Sequence, residues 1–242
     1  MKNIWILAKR EMRSFFDSLV AYILLVAFLG FSGFFTWLYG TDIFFIGQAT
    51  LQPFFSIAGY WSLFFFIPAL TMRMIAEEKR TGTLEVLLTQ SVSDWQVLAG
   101  KFFACLGLIL IALAFTLPYY VAVAWLGPVD HGAVWCGYLG LILMSSAYIG
   151  IGLFASSISS NQVVAFLLAL LIGLFFHLLF GLMGDASDGL LSETFSFLSM
   201  ESHYRSISRG VIDLRDLIFF FSVTFLGLIL AEFQLIKRNV IS

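Results

Sequence analysis

Residues 77–90 form a polar interruption between two long apolar runs, and they read EEKRTGTLEVLLTQ. A charged cluster comes first, a flexible Thr-Gly-Thr follows, and the rest is long enough for a short helix. Leu84, Leu87 and Leu88 are spaced i, i+3 and i+4, so they share one face of that helix. The pattern predicts a loop that presents a short apolar ridge to a partner.

The alternative is a plain turn that only links two helices. Such connections usually take about two to eight residues, whereas this interruption is longer and carries its own amphipathic segment. Ser93, with Gln96 three residues later, predicts a capping box that opens the next helix. The length and the pattern favour a docking element over a plain turn.

Composition identifies the class of protein. The chain has 242 residues, of which 60% are hydrophobic and 12% charged, whereas soluble domains carry about 25% charged residues. A membrane-spanning helix needs about 20 mostly apolar residues, and the apolar runs lack the strict alternation of a membrane β-barrel. We predict an all-α polytopic membrane protein formed by one transmembrane domain over residues 1–242. Its six predicted spans cover residues 19–39, 54–75, 102–125, 134–154, 163–183 and 217–236.

The first 17 residues predict an amphipathic helix that lies at the membrane surface, with basic residues placed for anionic headgroups. Glu11 is the exception, because it falls within or beside the apolar arc. We expect it either to pair with Arg73, Lys79 or Arg80 or to extend to water. The apolar side of the helix carries Ile4, Trp5, Ala8, Met12, Phe15 and Phe16, and the polar side carries Lys2, Asn3, Lys9, Arg10, Arg13 and Asp17.

The basic residues predict the orientation of the chain. Six crossings place both termini on the same side as the 77–90 loop. Of the 13 Lys and Arg residues, three lie on the opposite side, Arg205, Arg209 and Arg215, which leaves ten with the loop. Because basic residues are enriched in cytoplasmic segments, both termini and the loop are predicted to be cytoplasmic.

Motifs for chemistry are missing from the sequence. We find no phosphate-binding glycine loop, no metal-ligand spacing and no nucleophile with a plausible base. His177 is the one ionisable group deep in a predicted span, so it is either a functional residue or a structural one that is hydrogen-bonded to a neighbouring helix. The scarcity of intramembrane charges argues against proton or sodium coupling and favours a machine driven from outside the membrane.

Residues 184–215 separate the fifth and sixth predicted spans. They are too polar to span the membrane and too patterned for a disordered linker, so they predict short surface helices. The arginines of this region have three possible partners: an acidic headgroup, a periplasmic protein, or the carboxylates of Glu201, Asp213 and Asp216.

The loop closely resembles that of type-2 ABC transporter permeases. The resemblance includes the acidic-basic start, Gly-Thr-Leu-Glu, the Leu pair, Val92-Ser93, Trp95 and Gly100-Lys101. It extends over the chain through Lys9-Arg10-Glu11, the six spans and the serine-rich turn before Asn161-Gln162. The segment 206–216, with His203 ahead of it, is similar to that of the gliding-motility-associated permease subunit and of the permease of the nitrous-oxide-reductase maturation transporter, and it favours the gliding-type group.

The resemblance implies the fold of type V exporters and a protein of the bacterial inner membrane. It implies two permease copies, or two related permeases, bound to two ATPase subunits that carry ATP and Mg. It implies no catalytic, cofactor-binding or metal-binding residue in this chain, and no nucleic-acid partner; membrane lipid and a periplasmic protein are further expected partners.

The resemblance also implies roles for individual residues. The first and fifth spans would line the path. ATPase coupling would use Glu77, Glu78, Lys79, Arg80, Gly82, Thr83, Leu84, Glu85, Leu87 and Leu88; the connecting helix would use Lys9, Arg10 and Glu11; and the outer gate would use His203, Arg205, Arg209, Asp213 and Arg215.

The function expected from these features is that of an exporter subunit that moves cargo when a separate ATPase pushes on its loop. Two alternatives belong to other classes. One is a secondary transporter or channel that works alone, and the other is a membrane anchor for a soluble complex. A lone carrier does not require a docking loop, and an anchor predicts no change in the outer segment on nucleotide addition.

Overall fold

The computed structural model describes residues 2–39, 47–83 and 93–241, and every regular element within these ranges is helical. This confirms the predicted all-α class. The helices are α1 Lys2–Asp17, α2 Leu19–Trp37, α3 Tyr60–Thr71, α4 Ala76–Thr81, α5 Asp94–Ala114, α6 Leu117–Leu126, α7 His131–Ile158, α8 Gln162–Leu174, α9 Phe180–Ala186, α10 Leu190–Leu198, α11 Met200–Ser208 and α12 Leu214–Ile241. Two π-helical segments, Phe54–Gly59 and Phe175–Leu179, lead into α3 and α9.

Among the described residues, six helical stretches are long and apolar enough to cross a membrane, as the sequence predicted. The second runs on through the charged cluster to its end, and the third begins at Asp94 rather than after Lys101. The six spans are Leu19–Trp37, Phe54–Thr81, Asp94–Leu126, His131–Ile158, Gln162–Ala186 and Leu214–Lys237.

Burial divides the spans into two groups. In their most apolar stretches, the second, third and fourth spans bury 72%, 67% and 78% of the residues, whereas the first and fifth bury only 28% and 22%. The core therefore lies around α7, which packs against α3, α5, α8, α11 and α12. A side chain at Gly227 would collide with the backbone of Gly150, so these two glycines allow α12 and α7 to approach closely.

Helix α1 is amphipathic as predicted, and part of its apolar face packs on α5 rather than on lipid. Leu7, Ala8 and Phe15 are buried. A Cβ at Gly100 would lie 2.7 Å from the Cβ of Leu7, so only glycine permits this contact. Trp5 is 70% exposed and stays free of the bundle. The packing makes α1 an integral part of the bundle at the entrance to the third span.

Short helices lie between the fifth and sixth spans, as predicted, and they include α10 and α11. They occupy the end of the bundle at which the first span leaves and the second begins, because the Tyr204 hydroxyl donates a hydrogen bond to the Phe55 carbonyl, 2.8 Å away. We call this the distal end. The opposite end, which holds α1, α4 and the turn between α7 and α8, is the proximal end.

Candidate functional site

The buried, positively charged side chain of a lysine joins three helices at the proximal end. Lys101 of α5 has a side chain only 2% exposed, and its Nζ lies 2.6 Å from Glu78 Oε1 in α4 and 3.7 Å from Glu11 Oε1 in α1. A buried charge is unfavourable unless an opposite charge accompanies it. The ion pairs with Lys101 therefore favour the arrangement in which α1, α4 and α5 meet.

The partners of Glu11 differ from those the sequence suggested. Its carboxylate pairs with Arg10, at 2.6 Å, and with Lys101. Arg80 instead pairs with Glu77 on its own helix, at 2.6 Å. Arg73 lies 5.5 Å above the ring of Phe15 and donates to the Ser18 hydroxyl, 3.3 Å away.

Lys101 is a central residue of this end, and its sequence motif alone does not single it out. In the sequence it ends the Gly100-Lys101 pair and is one of ten positive charges on the loop side. The available signal was a lysine that lies next to apolar residues near a membrane helix, since such a charge has to find a partner.

A second set of contacts fastens α4 to the last turn of α7. The Ser156 hydroxyl accepts hydrogen bonds from the backbone N–H groups of Ile75 and Ala76, at 3.1 and 3.0 Å. Lys79 Nζ donates to the carbonyl of Ser157. Helix α3 contains Pro68 and ends at Thr71, so Ser156 binds the backbone at the point where the second span is interrupted.

Residues 76–83 lead into the loop, and we call them the arm. Gly82, near the end of the arm, has a left-handed backbone conformation. Gly82 has φ of +71°, which L side chains rarely adopt, and a Cβ added there would meet open space. The Thr81 and Thr83 hydroxyls lie 2.9 Å apart on either side of it. The arm carries six of the predicted coupling residues, Glu77, Glu78, Lys79, Arg80, Gly82 and Thr83, and the other four, Leu84, Glu85, Leu87 and Leu88, lie outside the described residues.

After the undescribed stretch, the Ser93 half of the predicted capping box is present, whereas Gln96 Oε1 is buried with no hydrogen-bond partner among the described residues and does not complete the box. The Ser93 side chain accepts a hydrogen bond from the Gln96 backbone N–H, at 3.3 Å, and α5 begins at the next residue, Asp94. This bond satisfies one of the free N–H groups at the helix start. It fixes where the chain leaves the loop and enters the third span.

At the distal end, His203 links α11 to α12. Its Nδ1 lies 2.7 Å from Asp216 Oδ1, its Nε2 lies 2.9 Å from the carbonyl of Phe197, and its ring stacks on Phe219. A carbonyl can only accept, so Nε2 carries a proton and donates. The buried pair fixes α11 to the start of the sixth span.

The other predicted gate residues separate into different roles. Arg205 pairs with Glu201, at 2.6 Å, and Arg209 Nε donates to the carbonyl of Arg205, at 3.1 Å. The guanidinium of Arg215 lies 4.9 Å above the ring of Phe197. Asp213 Oδ1 accepts from the Arg215 backbone N–H, at 3.0 Å, and so caps α12. Among the described residues, internal pairing with a carboxylate therefore holds for one of the three arginines.

His177 lies in a buried aromatic cluster of the second, fourth and fifth spans. Its Nδ1 is 2.6 Å from the Tyr148 hydroxyl, and its backbone carbonyl accepts from the Tyr60 hydroxyl, at 3.0 Å. Its ring stacks on Tyr60 and Phe64, at 3.9 and 4.5 Å between centroids. The geometry fits the structural alternative, in which this histidine is hydrogen-bonded to a neighbouring helix.

The sequence matches one family of known proteins. A family model described as ABC-2 family transporter protein matches residues 44–209. The match covers the second to fifth spans, the charged arm, α10 and α11. No curated protein matches the chain. Because the matched residues make up more than half of the sequence, the chain belongs to the ABC-2 transporter family, as a multi-pass permease subunit of an ABC transporter.

Proposed function

We propose that this permease is an exporter subunit driven by a separate ATPase that docks on residues 77–90. The observation that carries the proposal is the Lys101 ion pair with Glu78. It places the arm of the docking loop in direct contact with the third span, and through Glu11 with α1. A push on the loop would therefore reach the bundle through buried charges rather than through a flexible linker.

Two sets of contacts support transmission of motion. The ion pairs join the arm to α1 and α5, and the hydrogen bonds to Ser156 and Ser157 join it to α7. Motion of the arm would therefore displace the third and fourth spans together. These spans are largely buried in the core, where close packing transmits strain.

The proposed assembly contains two permease copies, or two related permeases, and two ATPase subunits that bind ATP and Mg. The low burial of the first and fifth spans supports a second permease that covers them and a path between the copies. Lys9, Arg10 and Glu11 would lie in the connecting helix, and His203 and Arg205 in the outer gate. We further propose the bacterial inner membrane with cytoplasmic termini, a gliding-type subgroup and no catalytic residue in this chain.

Purification of the tagged chain from its native membrane in mild detergent tests the ATPase. We expect an ABC ATPase to copurify in stoichiometric amount and to be lost with Leu87→Asp. The matched control is Arg215→Gln at the distal end, which should retain the ATPase. Size-exclusion profiles show whether each variant is folded. A wild-type chain that purifies alone and folded would contradict the proposal and favour an autonomous carrier or an anchor.

Direction of transport needs a second measurement. In proteoliposomes with the permease and its ATPase, only complexes whose ATPase faces outward hydrolyse added ATP. If the chain is an exporter, ATP addition should drive transport into the vesicle lumen. Labelled lipids and amphipathic peptides are suitable first probes, because the 28 phenylalanines of the chain suit an apolar path. Loss of preloaded probe from the lumen on ATP addition would indicate import instead.

A further inference from the structure

A polar cavity of about 620 Å³ lies at the distal end, between the start of the second span and α11. Gln52 and Ser56 line one side, and Arg205 and Arg209 line the other. The rings of Tyr60 and Tyr204 also line the cavity and stack 5.0 Å apart. These residues lie at the end of the bundle opposite the arm, so the coupling contacts of Lys101 and Ser156 do not account for the cavity.

The charges around the cavity favour an anion. Arg205 and Arg209 contribute two positive charges and Glu201 one negative charge, which leaves one in excess. The carboxylate of Glu201 is paired with Arg205. Among the described residues, the Arg209 guanidinium donates only through Nε, to the carbonyl of Arg205. No carboxylate among the described residues pairs with Arg209, so both of its terminal nitrogens are available to a ligand.

One neutral donor completes the site. The side-chain amide of Gln52 has no hydrogen-bond partner among the described residues, and it faces the same cavity as the two arginines. Both tyrosine hydroxyls donate inward, Tyr60 to the carbonyl of His177 and Tyr204 to that of Phe55. The tyrosine rings are thereby held in place, and burial raises the pKa of Tyr204 so that its hydroxyl stays neutral.

The depth of the cavity indicates which anion it meets. The sixth span begins at Leu214, only a few residues after Arg209, so this arginine lies near the membrane surface. Leu190, Leu191 and Ile212 are exposed and apolar at the same end, as expected for residues that contact lipid. Phosphate esters are the anions of that depth, and a planar guanidinium binds them through two parallel hydrogen bonds.

We infer that the distal cavity binds a phosphate ester, with Arg209 and Gln52 as its main donors and the Tyr60–Tyr204 stack as its floor. The cavity volume exceeds that of a phosphate ion alone, so it accommodates the glycerol or similar group attached to it. The source is either the headgroup of a membrane phospholipid or a soluble phosphate ester. The inference concerns binding by the permease itself and does not depend on an ATPase.

Native mass spectrometry of the delipidated chain in a neutral detergent tests this site. The probes are phosphatidylglycerol, diacylglycerol, which lacks the phosphate, and soluble glycerol 3-phosphate. We expect one phosphatidylglycerol or one glycerol 3-phosphate to bind saturably, and no diacylglycerol. Arg209→Gln should weaken this binding about tenfold or more, since it removes charge-assisted hydrogen bonds.

Arg215→Gln is the matched control, because Arg215 lies at the same end over Phe197 and does not line the cavity. It should leave the affinity within about twofold of wild type, in line with the small effect of most surface substitutions. If phosphatidylglycerol binds and glycerol 3-phosphate does not, the ligand is the headgroup of a membrane phospholipid. If both bind, the cavity recognises the phosphate ester itself. Binding of neither, equal binding of diacylglycerol, or equal losses in the two variants would overturn the inference.

Discussion

Lys101 Nζ lies 2.6 Å from Glu78 Oε1, so a buried ion pair connects the third span to the arm of the proposed docking loop. The second oxygen of the same carboxylate, Glu78 Oε2, is buried without a hydrogen-bond partner. The carboxylate thus depends on Lys101 for its neutralisation. If the arm moves relative to α5, either the ion pair breaks or the Lys101 side chain moves with Glu78.

Removal of the cation should destabilise the proximal end. Lys101→Met leaves the carboxylates of Glu78 and Glu11 without this lysine as a partner. We expect the free energy of unfolding to fall by about 3–5 kcal/mol, the cost of breaking a buried pair. Chemical denaturation in detergent micelles measures the change. The double variant Lys101→Met with Glu78→Gln should recover most of the loss. An unchanged single variant would show that the pair contributes nothing.

Ser156 should control the break in the second span. Ser156→Ala removes the acceptor for two buried backbone N–H groups, at a cost of about 1–3 kcal/mol for an unsatisfied group. Amide hydrogen exchange at Ile75 and Ala76 should become faster. The control is Ser157→Ala, because the Ser157 hydroxyl donates only within its own helix, to Phe154, at 2.7 Å. Equal exchange rates in both variants would contradict this role.

The His203–Asp216 pair should hold the distal helices in place. His203→Phe keeps a ring against Phe219 but leaves the Asp216 carboxylate buried without its partner, a change that costs about 3–5 kcal/mol for buried pairs. Trypsin should then cleave faster after Arg205 and Arg209. The double variant His203→Phe with Asp216→Leu should again be cleaved as slowly as wild type. If the single variant resists trypsin as well as wild type does, the pair does not secure α11.

His177 should behave as a structural residue. His177→Phe keeps the stacking on Tyr60 and Phe64 but leaves the Tyr148 hydroxyl buried without a partner, which should cost about 1–3 kcal/mol. Adding Tyr148→Phe should restore most of the stability, because both polar partners are then gone. Thermal unfolding of the four members of this double-mutant cycle measures the coupling. Additive effects would argue against the hydrogen bond.

Gly82 should matter for coupling rather than for folding. Its positive φ costs a β-branched residue about 1–2 kcal/mol, whereas asparagine tolerates this conformation better. We expect Gly82→Val to lower the stimulation of the partner ATPase in proteoliposomes and Gly82→Asn to stay close to wild type. Both variants should elute as folded protein, since a Cβ at this position meets open space. If the Val and Asn variants stimulate the ATPase to the same extent, the backbone conformation of Gly82 has no role in coupling.

The spans, the amphipathic start and the charged arm were all predictable from the sequence. A membrane requires about 20 apolar residues for each crossing, so composition along the chain suffices to locate six helices. The cap at Ser93 was predictable for a similar reason, because its partner Gln96 lies three residues away. In each case the deciding interaction is local or depends on the solvent around the helix.

The partners of the buried polar groups were decided only by the tertiary structure. Lys101 and Glu78 are 23 positions apart, and Ser156 meets the N–H of Ile75 across 81 positions. His203 was selected from the sequence, but its bond to Asp216 was not. Such pairs depend on how each helix is rotated and on which neighbours it packs against, and these are properties of the whole bundle. The sequence alone therefore determined where the helices are, and their packing determined which charges meet between them.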